Sequence, residues 1–508
     1  MIYMVTIYTS ATKLTDIQNI IDSQFRMNEL VEVVDYFIQK PISSGLNIII
    51  NHEGIRLPID WHNIRPPYIL QEHIWFTEEN LLGLIYFILG NSEATTSFLG
   101  ANSSLLSEIK IIESLINGSY TNPDQLSVET YQEFDDYRLM HNQAITRHYG
   151  SIDLNEGLEK IHYFYNAALD SAPSYEYRAF SAKHYMNFLF DINEKSLAEK
   201  IGRDTLTLDI SIDAKAEITN ILCQINISNL TVPYDQNVIE ELKNNLWSTL
   251  KHYESQGRSV EAAILYDSAS YIANISDSFA ESLGYISKAI KIFEEEGIEE
   301  FYYNAFYKKA LLLYNWAKNG NSQFFKPAID AYQESLKFFK RDDYPYIFAD
   351  IQHHLGVIYS EIPDEAKKKS IWAAVSSSSF LEALNIYKKD EFPYEYALVS
   401  NSYANALTNY PQAIHSDNYE KALYFYNEAL EIRKPSEYPF ERSLTLLNYL
   451  EASWNADNSS NESNFIRFND MWSKAEEIIS LNVNQKFVEE AKEHLTKLEL
   501  LKARLEEV

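Results

Sequence analysis

Residues 344–359 read YPYIFADIQHHLGVIY, and the phrase returns in altered form at 392–407, FPYEYALVSNSYANAL, and at 438–453, YPFERSLTLLNYLEAS. The prolines stand at 345, 393 and 439, steps of 48 and 46 residues. Proline is tolerated in the first turn of a helix, where its missing N–H costs nothing and its fixed φ sets the entry. Each phrase therefore reads as the start of a helix.

A second phrase lies between them. ESLGYISKAIKIF, KPAIDAYQESLKFF, SSSSFLEALNIY, YEKALYFYNEALEI and MWSKAEEII align through Ala289, Ser335, Ala383, Ala429 and Ala475, with steps of 46, 48, 46 and 46. Seven residues earlier stand Ser282, Ala328, Ser376 and Ala422, and Phe468 breaks the rule. Small residues two turns apart on one helix face let a second helix approach closely. Each unit is expected to be two antiparallel helices that bury their apolar face only by stacking on neighbours.

The segment LGVIY, with Leu355, Gly356 and Tyr359, followed by a helix with small residues seven apart, resembles the tetratricopeptide repeat. These units are longer than the usual repeat of about 34 residues. They are similar to the long repeats of bacterial tetratricopeptide proteins, some of which accompany caspase-like peptidases. The resemblance covers roughly residues 255 to 480. It implies an all-α helical-repeat solenoid whose first helices line a concave face that holds extended or helical segments of a partner.

Four regions are expected: an N-terminal α+β or helical module at 1–105, divergent helical pairs at 106–255, repeats at 256–482 and a capping helix at 483–508. EGLEKIHYFYNAALDSA, YRAFSAKHYMNFLFD, EKSLAEKIGRDTL and NVIEELKNNLWSTLKHY are amphipathic at helical spacing and make the divergent pairs, from about 130. In the module, TKLTDIQNIIDSQFRMNELVEVVDYFIQ reads as one or two helices, with Thr15 and Gln18 at capping-box spacing. LNIIINHEGIRLPIDW reads as two short strands around HEG, a hairpin over 46–60. IRPPY is a turn, and ENLLGLIYFILGN a helix.

The chain has 508 residues, 46% hydrophobic, with few Gly and Pro (14 each) and many Tyr (37) and Phe (26), as helix-on-helix packing favours. Its net charge of −30 repels phosphate backbones and excludes direct nucleic-acid binding without a basic patch, which the sequence lacks. The acidity favours a basic partner, although solubility alone accounts for it. Cys223, the only cysteine, excludes an internal disulfide; in the apolar run ITNILCQI it reads as a buried thiol. The start MIYMVTIY has neither a basic lead nor the length of a membrane span, so a cytoplasmic protein without membrane contact is expected.

No phosphate loop, dinucleotide fingerprint, zinc-protease helix or nucleophile elbow occurs, and no cofactor is expected. His52, His62 and His73 around the hairpin are the one arrangement that suggests a metal site, and isolated histidines are the plainer reading. The chain is thus expected to be a non-enzymatic scaffold that binds a partner protein or peptide. Two alternatives stand beside this. One is the regulatory subunit of a bacterial effector complex, holding a caspase-like peptidase or nuclease encoded nearby inactive. The other is an enzyme or metal protein using the N-terminal module.

Taking Leu311, Leu355, Tyr403 and Tyr449 as equivalent, the resemblance places Lys309, Trp316, His353, Asn401, Asn405, Asn409 and Glu451 on the concave face as partner-binding candidates. Asparagines four apart are unusual in a helix, and a carboxamide offers both donor and acceptor to a peptide backbone. The lysine-and-asparagine clamp that captures a C-terminal carboxylate is missing. A neutral solvated face is the competing reading of the asparagines, and core packing that of Trp316 and Trp454.

Overall fold

The computed structural model describes residues 5–38, 44–119, 133–150, 157–412, 417–456 and 461–506. By internal contacts the chain divides into two units, Met1–Ala262 and Ala263–Val508.

The first unit opens with a strand, β1 (Val5–Thr9), followed by α1 (Leu14–Asp22), β2 (Val31–Asp35), β3 (Asn47–Ile50) and β4 (Ile55–Arg56). The sheet order is β2-β1-β3-β4, with β1 parallel to both neighbours and β4 antiparallel to β3. The strands around HEG are as expected. Gly54 makes the turn at φ 143°, where a Cβ would strike the Ile74 carbonyl at 2.4 Å.

Two expectations are corrected here. VEVVD, assigned to a helix, is β2, paired with β1 in the register Val5↔Val31. Its β-branched residues suit a pleated surface, and the chain leaves α1 through Arg26 in the left-handed region before reaching it. Thr15 and Gln18 form no capping box: α1 begins at Leu14 behind Lys13, which makes no side-chain cap, and Gln18 donates instead to Asp22 at 3.0 Å.

Helices follow: α2 (Glu78–Ile88), α3 (Ser92–Leu99), α4 (Ser103–Ile116), α5 (Glu133–Tyr149), α6 (Leu158–Ser171), α7 (Tyr175–Asp191), α8 (Lys195–Leu206), α9 (Ile212–Ser228) and α10 (Gln236–Ser255). Residues 120–132, where the divergent pairs are expected to begin, lie outside the described residues. Cys223 is buried on α9, where burial, with Glu241 nearby, pushes its thiol up to about 12. The loop after β4 is pinned to the helices by Trp61, fully buried, whose Nε1 donates to Glu176 at 2.9 Å.

Helix α11 (Ser259–Ile275) runs across the division between the units. The second unit continues with α12 (Phe279–Glu296), α13 (Glu299–Lys318), α14 (Phe325–Ser335), α15 (Pro345–Glu361), α16 (Ala366–Ile386), α17 (Pro393–Asn409), α18 (Asn418–Ile432), α19 (Pro439–Ser453), α20 (Asn461–Leu481) and α21 (Gln485–Glu506). Successive helices pack as pairs, α13 with α14, α15 with α16 and α17 with α18, and α15, α17 and α19 lie side by side. The fold is a tetratricopeptide-like, all-α solenoid of long repeats that follows a small strand-containing N-terminal module.

The period has a visible physical basis. Pro345, Pro393 and Pro439 each start a helix behind an aromatic N-cap, and the caps share one conformation: φ/ψ −133°/59° at Tyr344, −132°/62° at Phe392 and −131°/54° at Tyr438. The small residues Ser282, Ala289, Ala328, Ser335, Ser376, Ala383, Ala422, Ala429 and Ala475 are all fully buried. Where the small residue is serine, it also reaches the backbone of the facing helix. Ser282 Oγ donates to the Ser270 carbonyl (2.7 Å), Ser335 Oγ to that of Tyr303 (3.0 Å) and Ser376 Oγ to that of Gly356 (2.5 Å). A larger side chain at these points would push the helices apart. Helix α21 buries Ala491 and Leu498 in one cluster with Leu446, Leu450, Met471 and Ile478.

Candidate functional site

Each first helix of the repeats leaves one stripe in contact with solvent. On α17 it runs Tyr394, Leu398, Asn405 and Asn409, spaced one, two and one turns apart. On α15 the equivalents are Tyr346, Asp350, Val357 and Glu361, and on α19 Phe440, Leu444, Glu451 and Asn455. On α17 and α19 the N-terminal half of this stripe is apolar and the C-terminal half polar, whereas on α15 Asp350 and Val357 reverse that order.

His353 and Asn401 occupy the same position of successive repeats, 48 residues apart, beside this stripe. Both are 8% exposed, and His353 Nε2 and Asn401 Oδ1 are buried without a hydrogen-bond partner. Leu447 takes the same place one repeat later and Lys309 one repeat earlier. The His353 ring lies against His354 and Phe380, with centroids at 5.4 and 6.1 Å. Burial, with His354 beside it, drives its imidazole down to about 3, so it is neutral at physiological pH. Lys309 is half-buried with its ammonium 5.4 Å from the Phe306 ring, and burial lowers its pKa.

Other candidates have structural partners. Asn405 Oδ1 accepts from the Tyr426 hydroxyl at 2.6 Å, tying α17 to α18. Trp316 stacks on Phe324 at 4.0 Å and Phe279 at 6.0 Å, so its ring is used in packing. Glu451 lies 3.2 Å from His494 Nε2 on α21, and His494 Nδ1 accepts from Trp454 Nε1 at 2.9 Å. Because indole N–H can only donate, Nδ1 must be the bare nitrogen and Nε2 carries the proton toward Glu451. Asn409 is exposed and borders a polar cavity of about 390 Å³ at the C-terminal ends of α15 and α17, with Lys318, Glu361 and Lys369 also on its wall.

An aromatic row stands at the N-terminal end of the same helices. The residue after each proline, Tyr346, Tyr394 and Phe440, is 52%, 46% and 49% exposed, and Leu398 and Leu444 below them are exposed as well. One repeat earlier Tyr302 continues the row. The signal was present in YPY, FPY and YPF, but aromatics at helical spacing resemble core.

In the first unit Glu217, itself buried, accepts from Lys183 Nζ (2.7 Å), Arg258 Nη1 (2.6 Å) and Tyr253 Oη (2.8 Å), while Lys183 also donates to Asn63 (2.7 Å). Burial works to raise the Glu217 carboxyl, but Lys183 and Arg258 outweigh it and hold it at about 2. Every charge in the cluster is answered, and it serves as an internal brace. His73 lies 3.3 Å from Glu53, but among the described residues no three histidine, cysteine or carboxylate side chains, those of His52 and His62 included, converge as metal ligands. Among them, too, no helix is long and apolar enough to cross a membrane.

No protein-family model matches the chain, and comparison with curated proteins finds no match. Among solved structures it is similar to the apo form of the quorum sensor NprR from B. thuringiensis, 14% identical with a TM-score of 0.44, over 72% of this chain and 100% of that one. It is also similar to yeast Tom70, 14% identical with a TM-score of 0.36, over 84% of this chain and 82% of that one. A signal-transduction ATPase with a tetratricopeptide-repeat sensor from Pyrococcus horikoshii is 11% identical with a TM-score of 0.44, over 99% and 82% of the two chains.

Proposed function

We propose that this protein is a non-enzymatic scaffold whose second unit binds a segment of a partner protein along the first helices of its repeats. The observation that carries this reading is the pair of unanswered polar atoms, His353 Nε2 and Asn401 Oδ1, at one position of adjacent repeats. A buried polar atom without a partner costs about 1–3 kcal/mol, and folded proteins rarely leave one unless something else supplies the bond. Leucine fills the same position in the next repeat, so the fold does not need polar groups there. A bound peptide, whose backbone offers N–H and C=O together, would answer both once its binding moves aside the side chains that cover them.

The test is affinity capture from the native host by wild type, by Asn401→Ala and by His353→Ala, with each variant's folding checked by circular dichroism. A partner held by wild type and lost from both folded variants supports the reading. Equal capture by all three overturns it.

A further inference from the structure

We propose that the polar cavity at the C-terminal ends of α15 and α17 binds a small aromatic anion, a planar ring that carries a phosphate or a carboxylate. The proposal uses neither His353 nor Asn401, so it stands apart from the scaffold reading.

One repeat departs from the period at this cavity. Helices α12, α14 and α18 begin three, three and four residues before Ser282, Ala328 and Ala422, and α20 begins seven before Phe468. Helix α16 begins ten residues before Ser376, about two turns earlier than the first three. The added turns belong to the stretch EIPDEAKKKSIW, residues 361–372, and their Lys369 and Trp372 stand on the cavity wall. The ends of α13, α15 and α17 bring Lys318, Glu361 and Asn409 to the same wall. The volume, about 390 Å³, is that of a small-molecule site.

The charge argues for an anion. The first turn of α16 holds Lys367, Lys368 and Lys369 and no acid, whereas α12, α13, α17, α18 and α19 each place glutamate there. Lysines in a first turn lie against the positive end of the helix dipole, so a neighbouring anion is favoured by both. The acids of this stretch are largely engaged. Glu361 accepts from Lys318 Nζ at 2.9 Å and from the Tyr314 hydroxyl at 2.8 Å. Asp364 accepts from Trp372 Nε1 at 3.1 Å, with Lys368 Nζ 3.3 Å away. Glu365 makes no ion pair among the described residues, but it stands against two free ammonium groups, those of Lys367 and Lys369. With Lys318 answered by Glu361, the wall keeps the positive charge of Lys369.

The aromatic wall argues for a ring. Trp372 and Tyr359 stack there, with centroids 5.6 Å apart and planes 8° from parallel. The Tyr359 hydroxyl accepts from Gln333 and that of Tyr410 donates to Ser376, so both are committed. The Asn409 carboxamide makes no hydrogen bond among the described residues. What the wall leaves unused is one ammonium, one carboxamide and aromatic surface. An acid group, a hydrogen-bonding ring edge and a ring face match these three.

The test titrates the full chain by isothermal titration calorimetry with adenosine monophosphate and with benzoate, beside adenosine and inorganic phosphate. At least one of the two aromatic anions is expected to bind saturably, and adenosine and phosphate at least about tenfold more weakly. Which of the two binds names the acid group. Lys369→Glu and Trp372→Leu should each weaken binding about tenfold or more. Lys369 is exposed, so Lys369→Glu keeps the fold whatever Trp372→Leu does. Three results would overturn the proposal. One is no saturable binding of either aromatic anion at millimolar concentration. Another is phosphate or adenosine alone binding as tightly. The third is wild-type affinity in Lys369→Glu, which would put the anion elsewhere.

Discussion

Tyr426 donates its hydroxyl to Asn405 Oδ1 at 2.6 Å, whereas Asn401 Oδ1, one turn earlier on the same helix, is buried with no donor at all. Two asparagines one turn apart thus do different work. Asn405 joins the two helices of its repeat, and the Tyr426 ring behind it is fully buried. Asn405→Ala should cost about 1–3 kcal/mol in stability, since it leaves a buried hydroxyl without an acceptor. Asn401→Leu should be neutral or stabilising by about 1 kcal/mol, because it removes an unanswered carbonyl and matches Leu447 one repeat on. Partner capture should fall only with Asn401→Leu. Urea denaturation of the two variants beside wild type reads the stability half of this contrast, and a larger loss in Asn401→Leu than in Asn405→Ala would refute it.

The contact of α15 with α16 yields a second prediction. A Cβ on Gly356 would sit 2.9–3.0 Å from the ring atoms of Phe380, which is itself fully buried. Gly356→Ala should therefore destabilise the protein by about 1–3 kcal/mol, although alanine is the better helix former. Shortening the ring partner should relieve the clash, so Gly356→Ala/Phe380→Leu should lose less than the two single variants summed. Thermal melts of the four proteins give the coupling. Strict additivity would mean that the two positions do not press on each other.

The repeats were legible in the sequence because successive units reuse the same two devices. A proline behind an aromatic cap fixes the entry of α15, α17 and α19, and small residues seven apart admit the facing helix in four units. The N-terminal sheet was only half legible. The strands around Gly54 had a turn signal, whereas Val5–Thr9 and Val31–Asp35 are short apolar runs without one, and parallel pairing leaves no local trace. The brace around Glu217 could not be read at all, since Lys183 reaches it from α7 and Arg258 from the turn before α11, and neither shares a period with it. The candidate face lies between these cases. Its asparagines stood out by spacing, but only side-chain contacts separate Asn401 from Asn405.

Because His353 titrates at about 3, it stays uncharged through the range where an ordinary histidine changes charge. Partner binding that runs through it should show no step between about pH 5 and 8. Stability behaves differently. The unfolded chain takes up the proton near the usual value of 6.5 and the folded one does not, so folding should weaken as pH falls from there toward 3. His353→Leu should flatten that acid slope. Denaturation midpoints of wild type and variant at pH 7 and 5 provide the comparison, and identical slopes would place the buried charge penalty elsewhere.

Glu217 carries the last prediction, with the acid form rather than the base at issue. Its carboxyl is held at about 2 against an ordinary value of 4.5, despite burial, by Lys183 and Arg258. A folded-state pKa below the unfolded one means stability that is complete above the unfolded value and is lost as pH falls through the folded one. The window is therefore about pH 4.5 down to 2. Glu217→Gln should cost about 3–5 kcal/mol at pH 7, because it leaves buried Lys183 without a carboxylate and Arg258 with Glu261 alone, and Lys183 and Arg258 are only 4% and 6% exposed. The same variant should lose part of the wild type's acid transition in that window. Replacing the cluster with apolar residues of similar volume, as in Glu217→Leu/Lys183→Met/Arg258→Met, should recover much of the loss, since a buried charge that has no partner costs more than none. Chemical denaturation at pH 7 and 3.5 distinguishes these cases. If Glu217→Gln alone is as stable as wild type at pH 7, the cluster is more hydrated than its geometry shows and the brace is not structural.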